Sequence, residues 1–307
     1  MQENQLSTNQ KTLIFCILSL FLAIQSSAQE TKLYPDTLNK KAVTAVAITG
    51  ATIYAGGMFG LYQLWYKDYP QSHFHFINDN SEWLQMDKLG HLTTAYYTSY
   101  LSSEALKLTG LSPHKADIWG SLAGFGFMTA IEILDGYSAE WGASSGDLIA
   151  NTAGASLYLG QQLLWGEQKV LLKASYHGTR WAKENPDQLG KNALQSIIKD
   201  YNGQTIWLSC NIKSLTQWER LPEWLNIAIG YGGEGMIFAN ESDLEHELTL
   251  SRRYRQFYLS FDIDLNRVKV RSKTLKLILK SIGFIKIPFP TLEYNDHSGL
   301  RGHLIYF

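Results

Sequence analysis

Residues 42–66 read AVTAVAITGATIYAGGMFGLYQLWY, 25 positions without one formal charge. Lys40 and Lys41 precede the run and Lys67 closes it. That length and composition are enough for a helix to cross a bilayer. Three further stretches share the character. Leu89 to Ser103 carries only His91 as an ionisable group, Ile118 to Thr129 leads on to Glu132, and Leu148 to Gly166 has no formal charge. Small residues recur in all of them, among them Gly50, Gly57, Gly120, Gly124, Ala150 and Gly154. Such residues let helix backbones approach closely, as membrane helix pairs do. A soluble helical core would have a similar composition. The four runs predict a four-helix bundle embedded in a membrane.

The rest of the composition narrows the function classes. The 307 residues carry a net charge of −1, so no global field draws the chain to nucleic acid. Charged residues are only 18 %, which excludes a disordered or coiled-coil chain. Two cysteines exclude a disulfide scaffold and a Cys-rich zinc site. Leu13 to Ile24 is a short apolar run after Lys11, followed by Ser26-Ser27-Ala28, the pattern of an export signal cleaved before Gln29. Leu13-Ile14-Phe15-Cys16 resembles a lipoprotein box only in passing. The apolar stretch should precede the cysteine, and Phe15 stands where a small residue is needed.

The ionisable residues of the helical part are placed with a pattern. Asp87, Lys88 and His91 open the second helix, Glu132 and Asp135 close the third, and Asp147 and Asn151 open the fourth. In an up-and-down bundle these positions fall at one level. The i,i+4 and i,i+3 spacings put each pair on one helix face. One end of the bundle is therefore expected to collect these seven side chains in a polar site. Ser144 and Asp147 also have capping-box spacing, which needs no function. Glu132 and Asp135 lie where the helix dipole disfavours anions, so they require partners. No metal ligand set is assigned, and no cofactor is expected.

These motifs carry a resemblance. Asp87-Lys88-Leu89-Gly90-His91, Glu132-Ile133-Leu134-Asp135-Gly136 and the run Gly142 to Asn151 with Gly154 resemble domain of unknown function 2279, the family of YfiM-type periplasmic lipoproteins. More distantly their order resembles VanZ-like membrane proteins. The resemblance implies a small envelope protein of a Gram-negative-type bacterium and no particular chemistry. It does not extend to the last 130 or so residues.

Those residues change character. Period-2 alternation predicts strands around Ile206–Ile212, Leu225–Tyr231 and Phe257–Leu265, with a further one at the aromatic C-terminus. Three or four strands make a small antiparallel sheet and cannot close a membrane barrel. Asp262 and Asp264 read as its solvated face. Seven bases and no acid lie between Leu265 and Ile287. Lys273, Lys276 and Lys280 recur at helical spacing opposite Leu275, Ile278, Leu279 and Ile282, an amphipathic helix suited to an anionic lipid surface.

The expected fold is thus α+β: the four-helix bundle, then a small antiparallel sheet with an amphipathic helix. The expected division is a signal over 1–28, the bundle over 36–166, a linker over 167–204 and a β-rich region over 205–307. The expected role is that of an exported, non-catalytic envelope protein whose partners are membrane lipid or another envelope protein, and not nucleic acid. The alternative is a membrane hydrolase or transferase acting on a lipid-linked phosphate or glycan, with His91 and the carboxylates as acids, bases or ligands.

Overall fold

A computed structural model describes residues 32–67, 69–240 and 252–307. The export signal and Cys16 lie outside them. The chain combines a helical part with a six-stranded antiparallel sheet.

Helix α1 (Lys40–Leu61) starts where the Asn39 side chain accepts a hydrogen bond from the Ala42 amide, and it ends in a wider turn over Tyr62–Tyr66. Helices α2 (Met86–Lys107), α3 (Pro113–Gly136) and α4 (Ser145–Trp165) follow. The bundle core has three helices rather than the expected four. Its three members pack tightly because small residues meet backbone: Gly120 lies against Ser103, Gly124 against Ser99 and Ala95, and Gly154 against Leu92. The glycines of α1 do no such thing, since Gly50, Gly56 and Gly60 have nothing within 4 Å of a Cβ position. Accordingly α1 buries no residue. It is tied at its ends, by Asn39 to Thr109 and by Tyr66 to Trp141, and by an edge contact of Tyr54 with Phe127.

Within the bundle, Tyr96, Tyr97 and Tyr100 of α2 meet Tyr158 of α4 in an aromatic core completed by Leu172. Leu172 belongs to β3 (Val170–Tyr176), so the stretch expected as a linker supplies the first strand of the sheet. The order continues through β4 (Gln204–Asn211), β5 (Leu225–Glu234), β6 (Tyr254–Ile263), β7 (Phe289–Asn295) and β8 (Gly299–Tyr306), each antiparallel to its neighbours. Six strands replace the expected three or four. Strand β3 lacks clean alternation because both its faces are covered, and β7 is short and holds Pro290. Two dipeptide strands, β1 (Phe76–Ile77) and β2 (Ala143–Ser144), pair in parallel beside the bundle.

The sheet inverts the usual pattern. Its enclosed face carries Lys173, Trp207, Ser209, Asn226, Tyr258 and Asp262, all buried. Its other face carries Leu208, Ile229, Phe257, Leu259, Leu292 and Tyr294, all exposed. The expectation that Asp262 and Asp264 face solvent is wrong. Asp262 is 0 % exposed and pairs with the equally buried Lys173 at 2.8 Å. Asp264 is 1 % exposed and holds Arg267 at 3.1 Å. The alternation was legible, but alternation alone does not say which face is inside.

Lys286 is also enclosed, at 2 % exposure, donating to the Ile287 carbonyl at 2.8 Å and the Ser260 hydroxyl at 3.2 Å beneath the Trp207 ring. Burial pushes its pKa down to about 8 although Asp262 opposes the shift. An unfolded chain holds this proton up to about 10.5. The folded chain therefore carries the whole cost of the enclosed cation below pH 8 and sheds it as pH rises from about 8 toward 10.5. Lys286→Met should stabilise the fold at pH 7 by about 1–2 kcal/mol, the desolvation relieved less the hydrogen bonds lost. Thermal unfolding should show the gain at pH 7 and its shrinkage at pH 10. A lower midpoint at pH 7 would contradict it.

Helix α5 (Ala193–Lys199) is the longest of three short helices between β3 and β4, and α6 (Lys273–Ser281) is the expected amphipathic one. Its orientation differs from the expectation. Lys276 reaches the carbonyls of Asn266 and Val268, at 2.8 and 3.3 Å, and Lys280 pairs with Glu104 at 2.6 Å. Of the three lysines, Lys273 alone is exposed, while Leu275, Ile278 and Ile282 face outward. The carbonyls of the 265–268 turn and the buried Glu104 supply partners that the local sequence does not reveal.

Candidate polar site at one end of the bundle

The site is built where α2 and α4 begin and α3 ends. The approach to α2 is unusual: Trp83, Leu84 and Gln85 take φ values of 48°, 50° and 67°, the left-handed region that side chains disfavour. The turn is held from the sheet. Tyr231 donates to the Leu84 carbonyl at 2.6 Å, Arg255 to the Gln85 side chain at 2.7 Å, and the Trp83 amide bonds the Ala239 carbonyl at 3.0 Å. These bonds offset the strain and aim the first turn of α2 at the neighbouring helices.

Lys88 lies at the centre of three carboxylates, 2.7 Å from Asp79, 2.9 Å from Asp147 and 3.5 Å from Asp87. Asp79 in turn accepts from the Ser144 hydroxyl at 2.6 Å, and that hydroxyl accepts from the Asp147 amide at 3.2 Å as the cap of α4. The capping role expected of Ser144 is present. Its own amide donates to Glu132 Oε2 at 2.9 Å. The anion at the end of α3 thus finds a backbone N–H donor, which answers the unfavourable dipole.

His91 occupies the next turn of α2. Its Nδ1 is 3.1 Å from Asn151 Oδ1 and 3.3 Å from Glu132 Oε1, and its Nε2 is 4.0 Å from Asp87 Oδ1. Asp87 is fixed from the other side by the Tyr201 hydroxyl at 2.6 Å. Asp135 accepts from the Tyr66 hydroxyl at 2.5 Å, so the end of α1 reaches the same level. All seven side chains expected at this end are there. Sequence reasoning missed Asp79, Ser144 as a partner of Asp79, Tyr66 and Tyr201. Asp79 sits in a polar turn without periodicity and Tyr201 is 114 positions from its partner Asp87, so neither carries a local signal.

The electrostatics follow from crowding. Asp79, Asp87, Glu132, Asp135 and Asp147 face two bases, Lys88 and His91. Burial raises the Asp147 carboxyl and its neighbour Asp87 adds to this, bringing it to about 6. Burial also opposes ionisation of Asp79, but the Lys88 and Ser144 hydrogen bonds outweigh it and hold that group below its ordinary value. For Lys88 and His91, desolvation is the largest influence and lowers both, yet the surrounding carboxylates win and raise both above their ordinary values. The cluster stabilises positive charge.

Residues 75–160 match the model of a family described as predicted periplasmic lipoprotein (DUF2279). The matched range begins beside β1, contains all of α2 and α3 with most of α4, and includes every member of the cluster except Tyr66 and Tyr201. It bears out the family resemblance seen in the motifs and supports an exported, cell-envelope location. No curated protein and no solved structure matches the chain.

Proposed function

We propose that this chain is a non-catalytic cell-envelope protein that rests against lipid, with the polar cluster holding its three core helices in register. The observation that carries this is the inverted sheet. The face that packs Leu172 and Ile206 onto the bundle continues across β5 to β8 as an uncovered apolar surface, while the charged and amide side chains are enclosed. Two other elements present the same inversion. Helix α6 turns Lys276 and Lys280 inward and Ile278 outward, and α1 is apolar without a buried residue. Exposed apolar surface spread over three separate elements suits an apolar solvent better than a single partner patch. Helices α1 with its following turn (Lys40–Tyr66) and α3 (Pro113–Gly136) are long and apolar enough to cross a bilayer.

The test uses the whole chain. The parent should stay with the membrane fraction through carbonate washing and need detergent for extraction. Ile229 and Leu259 stand opposite each other on β5 and β6 with exposed side chains. Lysine at both should sharply reduce membrane retention, since a lysine facing lipid at the midplane costs about 2–4 kcal/mol. If the parent is released by carbonate and the double variant is equally folded and soluble without detergent, the outer face meets water and the reading fails.

A further inference from the structure

The polar cluster contains one arrangement that a structural network does not require. Asp87, His91 and Asp147 each offer a ligand atom, and these atoms lie within 4.8 Å of one another. Lys88 alone would suffice to bridge α2 and α4 through Asp147. The imidazole is instead prepared on its far side. Nδ1 has Asn151 Oδ1 as its hydrogen-bond partner and the Glu132 carboxylate close by at 3.3 Å, which favour a proton on that nitrogen and leave Nε2 toward Asp87. At 4.0 Å the Nε2–Asp87 pair is too far apart for a hydrogen bond and suitably spaced for two ligands of one ion. A carboxylate or carbonyl behind the second ring nitrogen is the outer-sphere arrangement that orients metal-binding histidines.

A second observation is independent of the spacing. Asp147 Oδ1 is a buried carboxylate oxygen without a directed hydrogen bond, on a residue 3 % exposed. Asp147 Oδ1 is 2.9 Å from the Lys88 ammonium, but the directed bond from that group goes to Oδ2. Buried polar atoms are normally satisfied, and orphans of this kind mark places where a ligand or ion completes the set. A buried acceptor oxygen of this kind beside the histidine, amid five carboxylates and two bases, fits a bound cation.

We propose that Asp87, His91 and Asp147 bind one divalent transition-metal ion, with Zn²⁺ the best match to one imidazole and two carboxylates, and that Asn151 and Glu132 position the imidazole. The ion takes the place a proton occupies at Nε2 and brings twice the charge to the surplus of carboxylates. It ties α2 to α4 at their first turns. The inference does not depend on the lipid reading, because these groups face the bundle interior.

The experiment starts from the full chain in detergent, stripped with chelator and dialysed against buffered Zn²⁺. Elemental analysis should find about one Zn²⁺ per chain, and binding should raise the thermal midpoint. Co²⁺ in its place should give visible absorption bands of nitrogen–oxygen ligation in the unmodified chain, a readout that needs no variant. His91→Gln and Asp147→Asn should abolish stoichiometric binding and the bands. Asn151→Ala should weaken affinity by about 10–100-fold while keeping the stoichiometry, as loss of an outer-sphere partner does. His303→Gln, which alters a histidine–carboxylate pair on the sheet, should leave binding unchanged. Absence of stoichiometric Zn²⁺ and of Co²⁺ bands in the folded parent overturns the proposal. So does undiminished binding in folded His91→Gln, since the ion would then sit elsewhere.

Discussion

Replacing Asp262 with leucine should destabilise the sheet by about 3–5 kcal/mol, because it leaves the Lys173 ammonium charged and enclosed without a counter-ion. Both side chains are 0 % exposed and 2.8 Å apart. Asp262 also accepts from the Ser209 hydroxyl at 2.7 Å and the Ile287 amide at 3.2 Å, so one truncation removes an acceptor from both of these and leaves Lys173 only the Ile263 carbonyl at 2.7 Å. Lys173→Met alone should be costly as well, since it strands the carboxylate. The double variant Lys173→Met with Asp262→Leu should cost clearly less than the sum, because no unpaired charge remains. Thermal or denaturant unfolding of the detergent-solubilised chain measures all three. A single-variant loss under about 1 kcal/mol, or simple additivity, would mean that the pair does not hold the enclosed face together.

A second large effect is expected in the bundle. A Cβ on Gly154 would overlap the Leu92 carbonyl oxygen, and one on Gly124 would come within 2.6 Å of the Ser99 amide nitrogen and 2.8 Å of the Ala95 carbonyl. These neighbours are backbone and cannot rotate away. Gly124→Val or Gly154→Val should force α2 apart from α3 or α4 and cost at least about 3 kcal/mol, the upper range for overpacking. Gly56→Val in α1 should change stability by no more than about 0.5 kcal/mol, since its Cβ position is open. Comparable melting of the three variants would show that α1 packs as the other helices do. A collapse of the two bundle variants alone would confirm that a three-helix core carries the stability.

Much of this molecule was legible along the chain. The helices of the bundle lie where uncharged runs stand, and the cluster residues meet because helix direction alternates and each pair shares a face. The alternation of Phe257 to Ile263 announced a strand. What stayed hidden were the groups that complete these features from a distance. Asp79 enters through a turn, Tyr201 arrives from beyond β3, and Glu104 captures Lys280 across 176 positions. Periodicity reports only what one segment does about its own axis. It carries nothing about which segment comes alongside.

The sequence by itself determined the bundle helices and strands β4 to β6, the end of the bundle at which charge collects, and the family to which residues 75–160 are matched. Tertiary structure alone decided three things: that α1 stands outside the core, that Lys276 and Lys280 of α6 point inward, and that the sheet encloses its polar face. The reason is common to all three. A helix or strand has two faces whose chemistry is written locally, but which face is covered depends on a partner surface and on the solvent that meets the other side. Here Lys173 meets Asp262 inside the sheet while Ile229 stands 58 % exposed, and that choice of inside was made by assembly.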